Sequence, residues 1–504
     1  MKNTKIKRNI EKKDFSKFHI ILFSFMMGLF LTLSSCDDFI EVEPSDVIAT
    51  GSFYSNPEEL AFAVNGVYSL QRDIYGDNLW FILQEIRSDN AGIPGYGEGD
   101  ASLNYFQETS TNNILSLQWT RLYILINNAN TIIQRAVDVP QNNATEEALV
   151  ARIVGEAKFL RALSYFHLAT SWGGVPIRTM PTSDFDNAVI PKSSRSDVFA
   201  FIINELIEAA EVLPTSYSGG PLNEVGRATK YAAQALLGKV YLQNGNASAA
   251  SAALTNVISH YQLLPDFKDI FAPGNDNHSE SIFEVGFNPS SQTGMTFNNF
   301  FLTTDIATEL GVAAGGFGNE PIYFPTQDVM SIYEANDLRA AESFSEFEGV
   351  AYISKFIDPD AAGEEGSDIN WIILRYADVL LMKAEADGES SASYELINQV
   401  RRRGFGQNPT VADPAIDINA STTGTFFEKV QLERRREFAF EEQRWIDLQR
   451  FSESETVDIM NNNLSTEYPT DNVPPIDEHN LVYPIPALEI EVSNNVVTQN
   501  PGYN

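Results

Sequence analysis

The stretch Glu433–Arg450, ERRREFAFEEQRWIDLQR, is the part of the sequence that decides the fold. Alternating steps of three and four residues from Phe427 place six further residues on one helical face: Val430, Arg434, Phe438, Glu441, Trp445 and Leu448. This spacing predicts one helix with a buried stripe. Because a charge inside a packed face must meet a partner or cost several kcal/mol, Arg434 and Glu441 predict a buried ionic network.

The partners of these two charges are not obvious from the spacing. Arg434 and Glu441 lie two helical turns apart, too far to pair with each other. Glu437 follows Arg434 by three residues and Arg444 follows Glu441 by three, so we expect part of the neutralisation to be local. The alternative is a charged face in contact with solvent, but the apolar residues at helical spacing favour the buried network.

Several motifs resemble one family, the SusD/RagB outer-membrane nutrient-binding lipoproteins. The run Glu433–Arg450 is similar to that family's RRxEFAFExxRWxDLxR helix. Further matches are AVNGVY at 63–68, GEAKFLRALSYFHLATSWGGVP at 155–176, LRYADVLLMKAEA at 374–386, INQVRRRG at 397–404 and YPIPALEIEVSNNVVTQNPGYN from Tyr483. Their order and spacing cover nearly all of the chain after residue 35, which makes the resemblance specific.

The first 35 residues predict an export signal rather than part of the fold. Seven basic residues precede an apolar run from His19 to Leu33, and the small residues Ser34 and Ser35 stand directly before Cys36. This order is typical of a lipoprotein signal, in which the cysteine is acylated. Cys36 is the only cysteine, so no disulfide within the chain is expected. An ordinary secretory cleavage site is the alternative.

Removal of residues 1–35 leaves 27 basic and 66 acidic residues, a net charge of −39. Such a field repels nucleic acid and anionic lipid headgroups, so we expect neither as a partner. The family resemblance implies that Asp37 and Asp38, directly after the cysteine, direct the lipoprotein to the outer face of the outer membrane. We expect a tether at 36–57, an N-terminal half at 58–265 and a C-terminal half at 266–504.

The mature chain predicts a mainly all-α fold with a tetratricopeptide-like scaffold. Helical periodicity appears at 58–72, 116–139, 145–172, 196–213 and 427–451. With Gly238 at the eighth position of a repeat, the repeat positions are filled by Leu237, Tyr241, Ala250, Leu254 and Val257, around a turn at 244–246. The same spacing recurs at Leu381, Gly388, Ser393, Ile397 and Val400. Unrelated helix hairpins are the alternative.

Two long stretches between these helices, 75–106 and 288–325, combine glycines with aromatic residues and predict the ligand-binding loops. Aromatic rings stack on sugar rings, and Asn and Asp side chains hydrogen-bond to hydroxyls. We expect six ligand-binding residues: Asn78, Trp80, Asp89, Asn90, Tyr96 and Phe317. A core role for Trp80 is nearly as plausible, and Trp371 is expected in the core.

The sequence contains no motif for catalysis or cofactor binding. The four histidines after residue 35 are scattered, and the glycine run at 95–99 lacks the lysine of a phosphate loop. The acidic residues of 358–368 permit a structural calcium ion, but a solvated acidic loop is favoured because the ligand spacing is irregular. We therefore expect no catalytic residue, no metal and no cofactor. A carboxylate pair of a glycoside hydrolase cannot be recognised among so many acids.

The resemblance implies a non-catalytic protein at the cell surface. Such a protein captures oligosaccharide or polysaccharide and delivers it to a SusC-like TonB-dependent transporter, and it is held on the membrane by the lipid at Cys36. Three alternatives remain open from the sequence: a RagB-like peptide-binding protein, a glycoside hydrolase and a repeat scaffold that only assembles other proteins.

Overall fold

The computed structural model describes residues 54–94, 100–182, 189–217, 224–291, 293–296, 300–312, 321–361, 366–471 and 473–503. The predicted signal peptide, Cys36 and nearly all of the predicted tether lie outside these ranges. Ser55–Asn504 forms one compact unit. The boundary expected near residue 265 therefore separates two stretches of a single unit. No helix in the described part of the chain has the length and apolar character needed to span a bilayer.

The fold is mainly helical, as predicted. The longer helices, which form the scaffold, are α1 Pro57–Tyr75, α4 Asn113–Arg135, α5 Ala144–Trp172, α6 Arg195–Val212, α7 Lys230–Gln243, α8 Ala247–Thr255, α12 Tyr376–Asp387, α13 Ser391–Gly404, α14 Phe426–Phe438 and α16 Glu453–Glu467. The short helices are α2 Asn78–Phe81, α3 Asp100–Asn104, α9 Thr304–Leu310, α10 Gln327–Ser331, α11 Leu338–Ser343, α15 Arg444–Leu448 and α17 Ala487–Val492. Neighbouring helices along the chain pack against each other, as repeat stacking requires.

The few strands form small antiparallel pairs. Strand β1 (Ala91–Gly92) pairs with β3 (Phe324–Pro325), β2 (Ser281–Val285) with β6 (Trp371–Arg375), and β4 (Phe344–Phe347) with β5 (Val350–Ile353). Both strands of the β2–β6 pair lie in the C-terminal half of the chain, and their register shifts near Phe283.

Both predicted repeats are confirmed. Helices α7 and α8 form the first hairpin around the turn at 244–246, and α12 and α13 form the second. Gly238 shows why this position is small: a Cβ there would lie 2.5 Å from the Cδ2 and Cγ atoms of Leu254. The second hairpin packs on the first through α12 and α8.

The prediction of one continuous helix through 427–451 was wrong. Helix α14 ends at Phe438, and α15 begins at Arg444. Between them Phe440 and Glu442 have φ angles of 68° and 60°, in the left-handed region that side-chain-bearing residues rarely adopt. The stripe residues on both sides are nevertheless buried, including Val430, Phe438 and Trp445. The break therefore divides the signature between two helices.

Candidate functional site

The two predicted ligand loops meet in the structure, although they are more than 200 positions apart in the chain. Thr296 donates its backbone N–H to the carbonyl of Gly76 at 3.0 Å. The amide of Asn78 donates to the hydroxyl of Tyr323 at 2.5 Å. We call the described parts of the joined loops, 76–94, 293–296, 300–303 and 321–326, the loop platform.

A short antiparallel β-pair connects the two loops of the platform. Ala91 pairs with Pro325, and Gly92 pairs with Phe324. Thr326 extends this pairing, because its N–H donates to the Asn90 carbonyl at 2.9 Å and its hydroxyl to the Asp89 carbonyl at 2.7 Å. The platform therefore has a fixed backbone base.

Aromatic rings fill the space between the loops. The Phe81 ring packs 5.2 Å from that of Phe301 and 5.7 Å from that of Tyr323, and all three are buried. The ring of Phe300 stacks on Tyr323 at 5.7 Å, with 25° between the planes, and is partly exposed. No pattern in the sequence singles out Tyr323, although it lies in the predicted loop between Pro321 and Pro325.

The platform also carries polar side chains close to Tyr323, on which Phe300 stacks. Asp77 and Asn78 are both half-buried at the start of α2. The Asp77 carboxylate caps this helix by accepting from the Leu79 N–H at 3.1 Å, and it pairs with Arg121 of α4 at 2.8 Å. A partly exposed ring with an amide and a carboxylate in the same joined loops is a combination that suits a sugar ring.

Trp80 does not present its ring to a ligand, contrary to the prediction. Its side chain is 1 % exposed and packs against the rings of Tyr75 and His167. The reason is local: the segment that reads as a loop contains α2, which turns Trp80 inward while Asn78 faces outward. Trp371 is buried in the core, as predicted.

Asp89 and Asn90 are also buried, so the prediction that they face a ligand is corrected. Arg444 donates through Nε and Nη2 to the two carboxylate oxygens of Asp89 at 2.7 and 2.9 Å. The Nε of Arg435 donates to the Asn90 side-chain oxygen at 2.9 Å. Burial alone would raise the pKa of Asp89, but the guanidinium groups of Arg435 and Arg444 lower it to about 2. Asp89 and Asn90 therefore connect the platform to Arg444 and Arg435 of the signature stretch.

Three of the predicted site residues lie outside the described ranges. These are Tyr96 and Phe317, expected at the ligand, and Cys36, expected to carry the lipid. Their roles stay predictions.

The buried ionic network predicted from the signature is confirmed, but apart from Asp447 its partners come from outside the signature. Arg434 donates to Asp378 at 2.7 Å and to Asp447 at 2.9 Å. Glu441 accepts from Lys355 at 2.6 Å and from Arg375 at 2.7 Å. The expected local neutralisation was wrong.

Each of the two expected local partners is engaged elsewhere. Arg444 binds Asp89, as described above, rather than Glu441. Glu437 pairs with three arginines: Arg339, Arg375 and Arg403. Burial opposes the ionised form of Glu437, but these three guanidinium groups hold its pKa well below the usual range. The signature helix therefore binds strand β6, helix α11 and helix α13 together.

Two buried glutamates beside the platform have raised pKa values. Burial raises the pKa of Glu85 to about 7, although its carboxylate accepts from Asn90 and from the N–H groups of Phe440 and Glu442. Burial and the charge of Glu85 raise the pKa of Glu442 as well. Such values are typical of acid catalysts. However, the cavity that Glu442 lines measures about 20 Å³, enough for one water and too small for a sugar.

No cluster of potential metal ligands is present among the residues that the structure describes. Within the acidic segment considered for calcium, Asp358 is buried, and its carboxylate accepts from Ser367 at 2.7 Å and from the Asp360 N–H at 2.9 Å. Glu364 and Glu365 lie outside the described residues. The Asp358 carboxylate thus has protein donors as its partners.

Comparison with known proteins places two family models on most of this chain. The model described as the SusD family matches residues 288–503. The model described as starch-binding associating with outer membrane matches residues 38–242. Between them they include both predicted loops and the signature stretch.

Individual relatives match over nearly their whole lengths. The SusD-like protein P25 of Formosa agariphila is 26 % identical over 547 aligned residues, covering 96 % of this chain and 98 % of that protein. A laminarin-binding SusD-like protein of known structure is 26 % identical, with a TM-score of 0.72 over 89 % of this chain and all of the other. A SusD homologue from Bacteroides thetaiotaomicron shares the fold, with a TM-score of 0.76 at 22 % identity over 90 % and 98 % of the two chains.

Proposed function

We propose that this chain, which belongs to the SusD family, captures oligosaccharide or polysaccharide outside the outer membrane and delivers it to a SusC-like TonB-dependent transporter. Carbohydrate binding is supported by the laminarin-binding relative and by the starch-binding description of the family model on the N-terminal half. The association with the outer membrane rests on the same description.

The loop platform is the observation that carries this proposal. Phe300 offers a ring face held by stacking on Tyr323, Asn78 hydrogen-bonds to the same Tyr323, and Asp77 precedes Asn78 in the loop. Because the base beneath is fixed by β-pairing and by the Asp89–Arg444 ion pair, these groups keep their positions without a ligand. Preorganised groups lose little entropy on binding, which suits the capture of a flexible glycan.

We propose that the protein does not hydrolyse the glycan it binds. A glycoside hydrolase needs two carboxyl groups that flank the scissile bond. At the platform, Asp77 is held by Arg121 and Asp89 by Arg444, while Glu85 and Glu442 are enclosed. Glu85, Asp89 and Glu442 are buried and only Asp77 is partly open to solvent, so no two of these four acids can flank a bond of a sugar on Phe300.

Lipid attachment at Cys36 is the expected mode of anchoring. Two or more acyl chains hold a protein stably on a bilayer. In the expressing bacterium, Cys36→Ala should shift the protein from the membrane fraction to the soluble fraction and remove the lipid mass from its N-terminal peptide. Cys36→Ala protein that still sediments fully with membranes would refute lipid anchoring.

The glycan-binding function is tested by titrating the full-length protein in detergent with laminarihexaose and maltohexaose. Phe300→Ala should weaken binding by roughly 1 to 3 kcal/mol, the range for loss of an aromatic anchor. Phe62→Ala, at a position that is 70 % exposed on α1, is the matched control and should bind as the unaltered protein does. Equal affinity of both variants would remove Phe300 from the site.

Partnership with a transporter needs a separate experiment. Affinity purification of the tagged protein from solubilised outer membranes should recover a barrel-sized membrane protein in stoichiometric amount. Glycan binding without such a partner would leave capture intact and refute delivery, whereas peptide binding without glycan binding would favour the RagB-like alternative.

A further inference from the structure

A large cleft lies away from the residues of the loop platform. It has two adjoining parts, with volumes of about 430 and 640 Å³, which share the lining residues Val225, Gly226, Arg227 and Asn277. We call these two parts together the side cleft. Volumes of this size are typical of small-ligand sites.

The smaller part of the side cleft contains an amide without a partner. Gln71 of α1 lines this part and is 2 % exposed, yet neither its Nε2 nor its Oε1 has a hydrogen-bond partner in the structure. A buried amide without partners costs about 1 to 3 kcal/mol. A ligand with hydroxyl groups would satisfy both atoms, because a hydroxyl donates as well as accepts.

Further polar groups surround Gln71. Arg72 lines the same part and has no side-chain partner among the described residues. Asn370 is fixed opposite, with its Nδ2 donating to Glu284 at 2.7 Å and its Oδ1 accepting from the Phe287 N–H at 2.9 Å. This part therefore presents donors and acceptors at several angles, as a ring with several hydroxyls requires.

The larger part of the side cleft supplies ring faces. Tyr231 and His260 stack with ring centres 4.1 Å apart and 19° between their planes. Tyr261 stands edge-on to Tyr231 at 6.2 Å. Both rings of the stacked pair are at least partly open to solvent. Aromatic faces next to amides are the combination that binds sugars.

The residues where the two parts join are held in place by the fold. Arg227 is fixed by Glu156 at 2.7 Å and by Asn65. Tyr68 accepts from the Ala228 N–H at 2.9 Å. The junction is therefore built before any ligand arrives.

The charge of the side cleft favours a neutral ligand. Arg227 is neutralised by Glu156 and Glu224, and Glu284 lies in the same wall as Arg72. Asp276 stands beside Glu284, and its pKa is raised to about 6 by burial and by the charges of Glu284 and Asp368. There is thus no surplus of positive charge to attract a uronate or a sulfate.

We propose that the side cleft is a second carbohydrate-binding site, which takes a neutral oligosaccharide segment independently of the loop platform. The proposal goes beyond the proposed function, because capture and delivery need only one site. A second site would hold a neighbouring part of the same polysaccharide or a second chain, and it would raise the avidity of capture.

The test is calorimetric titration of the full-length protein in detergent with laminarihexaose, maltohexaose and a galacturonic acid hexamer. The unaltered protein should bind a neutral hexamer at two sites. Tyr231→Ala and Gln71→Leu should each weaken binding at one of them, the side cleft, by at least tenfold. Phe300→Ala should weaken binding only at the other site, the loop platform. Phe62→Ala should weaken binding at neither site. The acidic hexamer should bind more weakly than the two neutral ones.

Gln71→Leu separates binding from folding. Leucine removes the unpartnered amide and nearly keeps its volume, so the melting temperature should stay equal or rise while affinity falls. If Gln71→Leu and Tyr231→Ala both retain full affinity and stoichiometry, the side cleft is not a glycan site. If Phe300→Ala loses all glycan binding while Gln71→Leu and Tyr231→Ala retain it, this inference fails and the proposed function stands. If no hexamer binds at millimolar concentration, both are overturned.

Discussion

Arg434 and Asp378 lie 56 positions apart in the chain, and the Nη1 of Arg434 donates to the Oδ1 of Asp378 at 2.7 Å in the core. The Arg434 side chain is fully buried, and that of Asp378 is 3 % exposed. Lys239 approaches the second oxygen of Asp378 at 2.9 Å. The first repeat, the second repeat and the signature helix therefore meet at one carboxylate.

Arg434→Ala should destabilise the protein by roughly 3 kcal/mol or more, because it leaves buried Asp378 with Lys239 alone and buried Asp447 with Arg450 alone. Denaturant unfolding monitored by circular dichroism measures this loss. Lys383→Ala is the matched control: it removes a cation from the partly exposed pair with Asp387 and should cost about 1 kcal/mol or less. A loss below about 0.5 kcal/mol for Arg434→Ala would mean that the network contributes little to stability.

Trp80→Ala should reduce stability by roughly 3 to 5 kcal/mol, since it empties a fully packed position beside Tyr75 and His167. The melting temperature should therefore fall clearly, unlike that of the exposed control Phe62→Ala. An unchanged melting temperature together with weakened glycan binding would restore the ligand role predicted from the sequence.

The stability of the protein should increase as the pH falls from about 8 to about 5. Burial raises the pKa of Glu85 to about 7 in the folded protein, whereas an unfolded glutamate titrates near pH ~4.3. The folded state therefore binds more protons between these values, and the free energy of unfolding rises by roughly 2 to 3 kcal/mol on acidification. Glu442, with its raised pKa, acts in the same direction.

Glu85→Gln should flatten this pH dependence, whereas the exposed control Glu58→Gln should preserve it. Below about pH 4 the trend should reverse, because Asp89 and Asp378 have lowered pKa values and their stabilisation is lost as they are protonated. Urea unfolding at a series of pH values measures the free energy of unfolding both above and below about pH 4. A stability that rises steadily from pH 5 to 8 would contradict the assignment for Glu85.

Two glycines in helices should respond oppositely to alanine. Gly238→Ala places a Cβ against Leu254 and should cost about 1 to 3 kcal/mol through overpacking. Gly66→Ala meets no atom within 4 Å and should stabilise α1 by up to about 1 kcal/mol. Thermal unfolding of the two variants compares them directly. If the melting temperatures of both variants shift equally and in the same direction, the close packing of Gly238 against Leu254 does not govern stability.

The sequence predicted the scaffold well because helical periodicity is a local property. The bounds of α5 and α6 fall within a residue or so of the expected ones, and both repeat hairpins were found from the spacing of small and apolar residues. The break after Phe438 was missed because the apolar period continues through it, while the backbone leaves the helix at Ala439 and takes positive φ angles at Phe440 and Glu442.

The site was less predictable because its contacts join distant parts of the chain. That the loops 75–106 and 288–325 are next to each other could only be guessed from their shared composition. Nothing local distinguishes Asp89, which binds Arg444, from an exposed aspartate. Gln71 was hidden for the same reason: it stands on an ordinary amphipathic helix, and only the fold shows that its amide has no partner.

Long-range polar contacts also set a minimum time between the synthesis of a residue and the formation of its final contacts. Arg87 donates to the carbonyl of Asn480 at 2.6 Å, across 393 positions of sequence. At about 5 to 20 residues per second, the ribosome needs roughly 20 to 80 s to travel from one to the other. During that interval Arg87 lacks one of its final partners, and Asp89 lacks Arg444 until most of this interval has passed. These contacts of the N-terminal half can therefore form only after nearly the whole chain has been made.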